Sequence, residues 1–159
     1  MAVAKRLSKK RLCEHTTWYL DANALTSGSA MAICVNAKQH NALGLVTHLA
    51  LGEALGNVID KHGMDKADLL FDLVQRLRAD GKIHFHSFDS FASILDEVRK
   101  DFDRLSLTDA VHLSSAIGFK CAKFMTSDTH FSKQNVPRDA LKSLCERFAA
   151  PVLSIDENQ

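Results

Sequence analysis

The stretch from Leu105 to Phe131 constrains the fold most, because it places an acidic residue beside each of two apolar elements. Asp109 lies in the first turn of a predicted helix whose Leu113 and Ile117 recur at the spacing of one helical face. Asp128 follows a short apolar run that is typical of an interior strand. Open α/β sheets bind ligands at the carboxyl ends of their strands, so an acid in that position predicts a functional site.

Apolar, β-branched runs alternate along the chain with longer segments of helical periodicity. The connections between them are short, which favours a parallel sheet covered by helices on both faces. We therefore predict an α/β fold of three layers, α/β/α, around a parallel central sheet. The predicted strands lie at 16–20, 44–47, 83–88, 124–125 and 151–155, and the predicted helices at 24–39, 48–62, 65–81, 91–102, 107–118 and 139–148.

The segment 65–81 is the clearest amphipathic helix, with Asp65 expected as its cap and Gly81 as its end. Trp18 and Phe131 are expected to be core residues rather than platforms for base stacking. The apolar stripe of the amphipathic helix is predicted to be Leu69, Leu70, Leu73, Val74 and Leu77.

The length of 159 residues is enough for one well-buried core. We predict a basic arm over residues 1–15, with a local net charge near +4, followed by a single domain over 16–156. No segment approaches the roughly 18 apolar residues of a membrane span, and the arm lacks the apolar core of a secretory signal. The four cysteines form no Cys-x-x-Cys pair. These features predict a soluble, cytoplasmic protein with reduced thiols.

Four acids are predicted to fall at strand ends or on inward helix faces: Asp21, Glu53, Asp109 and Asp128. The carboxyl ends of parallel strands share one edge, so these side chains can meet in one pocket. Clustered carboxylates stay ionised together only when a cation neutralises them, and oxygen ligands favour Mg²⁺ or Mn²⁺ over zinc. Such ions activate a water molecule for attack on a phosphodiester bond.

Each acid also has a structural explanation. Asp21 and Asp128 could cap the turns that follow them, and Asp109 stands three residues after Ser106, as in a capping box. Glu53 is the exception, since its apolar neighbours predict a deeply buried carboxylate that requires a partner or a cation.

Four segments resemble the acidic motifs of PIN-domain nucleases, in their order and spacing. They are Tyr19-Leu20-Asp21-Ala22-Asn23-Ala24-Leu25, Leu51-Gly52-Glu53-Ala54-Leu55, Thr108-Asp109-Ala110-Val111-His112-Leu113 and Met125-Thr126-Ser127-Asp128-Thr129-His130-Phe131. In size the chain is similar to the small single-domain members of this family, which are mostly the toxins of VapBC-type toxin–antitoxin pairs.

The resemblance implies a Mg²⁺- or Mn²⁺-dependent endoribonuclease in which Asp21 and Asp109 are the central metal ligands and Asp128 and Glu53 complete the site. It also implies an RNA substrate, a cognate antitoxin that inserts a segment into the acidic pocket, and a homodimer. Two further positions would orient ligands or water: Asn23, and either Thr126 or Ser127.

Two other functions are considered. A phosphatase of the haloacid dehalogenase class also has an Asp after its first strand, but it needs a second Asp where this chain has Asn23. The second alternative is a catalytically silent PIN-like module that binds RNA or protein.

Several histidines and lysines have two interpretations each. His112 either lines the pocket or packs within its helix, and the alternating His84 and His86 are interpreted as an exposed pair rather than a zinc site. A further group of basic residues near Asp128 either contacts the phosphates of a nucleic acid or is an ordinary solvent-exposed rim of the pocket. This group is Lys120, Lys123, His130 and Lys133.

Overall fold

The computed structural model describes residues 16–36, 42–87 and 91–157. A sheet of five parallel strands forms its centre, in the spatial order β3-β2-β1-β4-β5. The strands are β1 (Thr16–Leu20), β2 (Ala42–Thr47), β3 (Ile83–His86), β4 (Lys123–Thr126) and β5 (Ser154–Glu157). The helices are α1 (Ala22–Thr26), α2 (Gly28–Val35), α3 (His48–His62), α4 (Met64–Ala79), α5 (Ala92–Asp101), α6 (Leu107–Gly118) and α7 (Arg138–Arg147), with a 3₁₀ turn at Thr129–Phe131.

Helices cover both faces of the sheet, and the alternation of side chains along β1 shows why. Trp18 and Leu20 point into a core that helices α1 to α4 complete, whereas Tyr19 points into a second core formed with α5 to α7. Because strands buried on both faces must be apolar throughout, the runs in β1 and β4 have little polar alternation. The predicted three-layer α/β/α fold with a parallel central sheet is confirmed.

The order of the strands creates a switch point at β1. The chain builds outward from β1 through β2 to β3, and then returns to add β4 and β5 on the other side of β1. Leu20 at the end of β1 pairs with Met125 near the end of β4, so Asp21 and Thr126 are neighbours on the same sheet edge. In doubly wound sheets, ligands bind in the crevice at the carboxyl ends of the strands where the strand order reverses.

The helix predicted over 24–39 is instead two helices within the described residues. The Ser27 backbone is extended, and it separates α1 from α2. The segment 37–41, in which that prediction ends, lies outside the described residues, as does Phe88 at the end of the predicted third strand. The last strand begins at Ser154 rather than at Pro151, because proline has no N–H to donate to a sheet.

The amphipathic helix α4 differs from its prediction in its cap and in its buried face. Gly63 occupies the cap position and Asp65 lies in the first turn. Ala67, Val74 and Leu77 are buried, whereas Leu69 is 61% exposed and Leu73 is 39% exposed. The buried face of α4 is therefore rotated relative to the predicted stripe, and Leu69 and Leu73 form an apolar strip that faces outward.

Trp18 and Phe131 are buried, as predicted. Cys34, Cys121 and Cys145 are buried free thiols, and burial raises the pKa of Cys121 to about 12. The fourth cysteine, Cys13, belongs to the predicted basic arm, and residues 1–15 lie outside the described part of the chain. Within the described helices, none is long and apolar enough to cross a membrane.

Candidate metal centre

Asp21 lies at the switch point, directly after β1, and is 3% exposed. Its Oδ1 accepts a hydrogen bond of 2.7 Å from the backbone N–H of Ala24, so it caps α1. Burial raises the pKa of the Asp21 carboxyl group, although hydrogen bonds from the Thr126 hydroxyl and from Ala24 act in the opposite direction. A buried carboxylate with a raised pKa is one that a neighbouring cation would stabilise.

Thr126 connects the acid of β1 to the acid of β4. Its side chain is fully buried, it hydrogen-bonds to the Asp21 carboxylate, and its Oγ1 accepts a 2.9 Å hydrogen bond from the backbone N–H of Asp128. The neighbouring Ser127 is exposed. Of the two hydroxyl residues predicted to orient the site, Thr126 is therefore the one that contacts both acids.

Asp128 caps the 3₁₀ turn through a 2.9 Å hydrogen bond from the backbone N–H of His130 to its Oδ1. Its negative charge also acts on Asp21, since it contributes to the raised pKa of that carboxyl group. The side chain is 23% exposed, so solvent can reach it. Asp21 and Asp128 thus form one electrostatically coupled pair at the end of β1 and β4.

Asp109 joins this pair through His130. Its Oδ2 is 2.7 Å from the Ser106 hydroxyl, and the Ser106 Oγ in turn accepts from the Asp109 backbone N–H, as the capping-box interpretation predicts. The His130 Nδ1 lies 3.3 Å from Asp109 Oδ2 and 3.5 Å from Asp128 Oδ1. These three ligand atoms all lie within 4.8 Å of one another, so α6 and the segment after β4 present one potential metal-binding group.

Glu53 is not the deeply buried residue that the sequence predicts. It lies in α3, and its side chain is 38% exposed. The predicted partner is present: Glu53 Oε2 is 2.5 Å from His112 Nε2. Since His112 is only 4% exposed, this bond ties α3 to α6 across the edge of the sheet.

The four predicted acids therefore lie near the carboxyl ends of the strands, and each is linked to another group of the site in one of three ways. Asp109 and Asp128 meet at His130, Asp21 is coupled electrostatically to Asp128 and to His112, and Glu53 is held by His112. Asn23 lies apart from these contacts, along α1, where it lines a cavity of about 170 Å³ that α3 closes.

Two histidines lie closer to the acids than the sequence predicts. For His130 the sequence predicts a phosphate contact or a rim residue, and the structure places its ring against two carboxylates. For His112 it predicts either a pocket or a packing residue, and the side chain contacts Glu53. A signal was present for both, since each follows an acid of a motif by two or three residues.

The donor set fits a divalent cation. Two carboxylates, Asp109 and Asp128, converge with the His130 imidazole, and burial disfavours the charged form of Asp21, which is coupled electrostatically to Asp128. Carboxylate oxygens, which outnumber the one imidazole nitrogen, suit Mg²⁺ and Mn²⁺. Asp21 and Asp128 also cap local turns, and Asp109 accepts from the cap residue Ser106, so the same side chains serve the fold and are available to a metal.

The five-stranded parallel sheet, the helices on both faces and the acids at the switch point define a protein of PIN-like α/β fold. One solved structure to which the chain is similar is VapBC2 from Rickettsia felis bound to a DNA fragment from their promoter. The TM-score is 0.59 at 12% sequence identity, over 88% of this chain and 97% of the other chain. This likeness shows the fold. In sequence, no family model and no curated protein matches the chain.

Proposed function

We propose that the protein is a Mg²⁺- or Mn²⁺-dependent endoribonuclease that hydrolyses RNA phosphodiester bonds, and that it is the toxin of a toxin–antitoxin pair. The observation that carries this proposal is the meeting of Asp109, Asp128 and His130 beside the switch point of a parallel sheet, where Asp21 follows β1 and is coupled electrostatically to Asp128. This is the arrangement that the resemblance to PIN-domain nucleases leads us to expect.

Asp21, Asp109 and Asp128 would hold the metal, with Glu53 completing the site directly or through water. When bound, the ion activates water and neutralises the charge that develops on the phosphate. The protein holds two of these carboxylates in place with backbone N–H groups, from Ala24 and from His130. Groups that are already ordered lose little entropy when a substrate binds, which is a requirement for efficient hydrolysis.

His130 is exposed beside the acids, with 62% of its side chain accessible. In that position its ring can bind a metal through Nδ1, which lies close to both Asp109 and Asp128. We assign it to the metal centre beside the four acids that the sequence predicts. Thr126 fixes Asp21 relative to Asp128 from the buried side.

The proposed partners follow from the same fold. VapBC2 is a complex, and its structural similarity supports a cognate antitoxin for this chain as well. A cationic segment of such an antitoxin, in particular an arginine, would neutralise the carboxylates much as a metal does. A cytoplasmic location and a homodimer are part of the same proposal.

The test is cleavage of a pool of structured RNAs by the purified protein in Mg²⁺, in Mn²⁺ and in chelator. We expect cleavage that chelator abolishes and that Asp109→Asn reduces by at least about a hundredfold, since outer- and inner-sphere changes at metal sites commonly cost that much. Asp109→Asn retains an acceptor for the Ser106 hydroxyl, so its fold should persist. Asp96→Asn removes an exposed carboxylate on α5 and serves as the matched control.

A specific observation favours a second candidate, a silent PIN-like module that binds RNA or protein. Asp21 and Asp128 each cap a turn, and Asp109 pairs with the cap residue Ser106, so structural roles would by themselves explain these three acids. If the protein is a silent module, Mn²⁺ should leave the melting temperature unchanged and no RNA in the pool should be cut. The nuclease predicts a rise of the melting temperature with Mn²⁺, because a ligand that binds only the folded state stabilises it.

A further inference from the structure

His112 connects the candidate metal centre to the protein core through a continuous series of side-chain hydrogen bonds. Its Nε2 is 2.5 Å from Glu53 Oε2, and its Nδ1 is 2.7 Å from the Tyr19 hydroxyl. The Tyr19 hydroxyl is in turn 3.2 Å from Thr47 Oγ1. Tyr19, Thr47 and His112 are all buried, whereas Glu53 lies at the open end of the series.

The chemistry of these groups fixes which one donates and which one accepts in each hydrogen bond of the series. An ionised Glu53 only accepts hydrogen bonds, so Nε2 of His112 is the nitrogen that carries the proton. A neutral imidazole then accepts at Nδ1, where the Tyr19 hydroxyl donates. Thr47 donates its hydroxyl proton to the Tyr19 oxygen, and its own Oγ1 accepts from the backbone N–H of Ala50. Each of these buried polar groups is satisfied, as a stable interior network requires.

We propose that His112 is a positioning residue that holds the Glu53 carboxylate at the metal centre, with its ring fixed from the core by Tyr19 and Thr47. This inference rests on the proposed function. Glu53 projects from a helix surface and its side chain is 38% exposed, so without a partner it would occupy several rotamers. The bond to His112 selects one of them. Partners that orient a ligand in this way tune both metal affinity and rate.

The test measures Mn²⁺ binding by titration calorimetry, a readout that does not require cleavage. We expect His112→Leu to weaken Mn²⁺ binding roughly tenfold, which is typical of lost outer-sphere partners. His112→Gln offers an amide N–H that can still donate to Glu53, and we expect it to retain most of the affinity. Ser114→Ala is the matched control, because Ser114 is a buried polar residue of the same helix whose hydroxyl bonds to the Ala110 carbonyl oxygen.

A double-mutant cycle separates positioning from a general structural effect. If His112 acts through Glu53, then His112→Leu should have little further effect on Mn²⁺ affinity once Glu53→Gln is present. Tyr19→Phe provides a second variant in case His112→Leu does not fold. It removes only the hydroxyl and keeps the ring stacked on Phe124, and we expect a loss in the same direction.

The possible results are distinguishable. Additive effects of the Glu53 and His112 substitutions, or a loss in Ser114→Ala equal to that in His112→Leu, would overturn the positioning role while the wild type still binds Mn²⁺ and cuts RNA. A folded wild-type protein that neither binds Mn²⁺ nor cuts RNA would overturn the proposed function, and this inference with it.

Discussion

At the scale of single residues, Asp21 shows a conflict between stability and the proposed function. Burial raises the pKa of its carboxyl group, which means that the folded protein holds the charged form at a free-energy cost. Its hydrogen bonds from Ala24 and Thr126 reduce that cost without removing it. A residue with only a capping role would serve equally well as asparagine, which caps helices about as well as aspartate.

We therefore expect Asp21→Asn to raise the melting temperature in chelator at neutral pH. The folded state binds this proton more tightly than the unfolded state, so wild-type stability falls as the pH rises above about 4, the ordinary aspartate value. The advantage of the variant should grow over that range and level off above the pKa in the folded protein. Thermal melts at a series of pH values measure it, and each kcal/mol corresponds to roughly 2–4 °C in a domain of this size.

Asp96→Asn is the control for that comparison, since its carboxylate is exposed. Equal melting temperatures for Asp21→Asn and the wild type at pH 8 in chelator would contradict the interpretation. With saturating Mn²⁺ the order should reverse, because the wild type then gains binding free energy that the variant lacks.

The residue scale also shows where prediction from sequence stops. Asp21, Asp109 and Asp128 could be placed because each borders an apolar element whose period is visible in the sequence. The exposure of Glu53 could not, because its neighbours in the sequence are apolar and the rotation of α3 depends on packing from other elements. The contact between Glu53 and His112 joins residues 59 positions apart, and no local pattern encodes it.

At the scale of elements, α3 is continuous from His48 to His62 despite two internal glycines, Gly52 and Gly56. Thr47 caps it and His62 and Lys61 lie in its last turn, both of which favour a helix. Its length was therefore predictable from sequence. The break at Ser27 and the rotation of α4 were not, since tertiary contacts rather than local preferences decide them.

We expect Gly52→Ala and Gly56→Ala each to stabilise the protein by about 0.5–1 kcal/mol, the ordinary helix preference for alanine over glycine. A Cβ atom at either position would meet no other atom within 4 Å. The measurement is chemical denaturation of each variant. Gly44→Ala is the contrast, because its Cβ would lie 3.0 Å from Cys34 Sγ and 3.1 Å from Leu20 Cδ1, and we expect it to destabilise. A loss of stability in the α3 variants would contradict the prediction.

At the scale of the whole molecule, α4 presents an apolar strip that the fold does not cover. Leu69 is 61% exposed, and Leu73, one turn later on the same face of the helix, is 39% exposed. We expect the protein to be a homodimer, as the resemblance to PIN-domain toxins implies, with this strip in the interface. Light scattering should then report twice the chain mass of 17.6 kDa.

Leu69→Lys should shift that mass toward the monomer, because a charge placed in a buried apolar interface is strongly unfavourable. Val152→Lys is the control, since Val152 is also an exposed apolar residue, at 54%, and it lies outside α4. A wild-type protein that stays monomeric at high concentration would refute the dimer. A dimer that Leu69→Lys leaves intact would place the interface elsewhere.

The position of β1 between β2 and β4 would also govern when the proposed activity can arise during synthesis. The first acid of the candidate site emerges from the ribosome early, but its neighbour on the sheet edge belongs to β4, which is translated more than a hundred residues later. A nascent chain that has completed only β1 to β3 has three of the five strands and lacks Asp109 and Asp128. If the protein is a toxic nuclease, the cell therefore meets its activity only after nearly all of the domain has been made, which gives an antitoxin time to be present first.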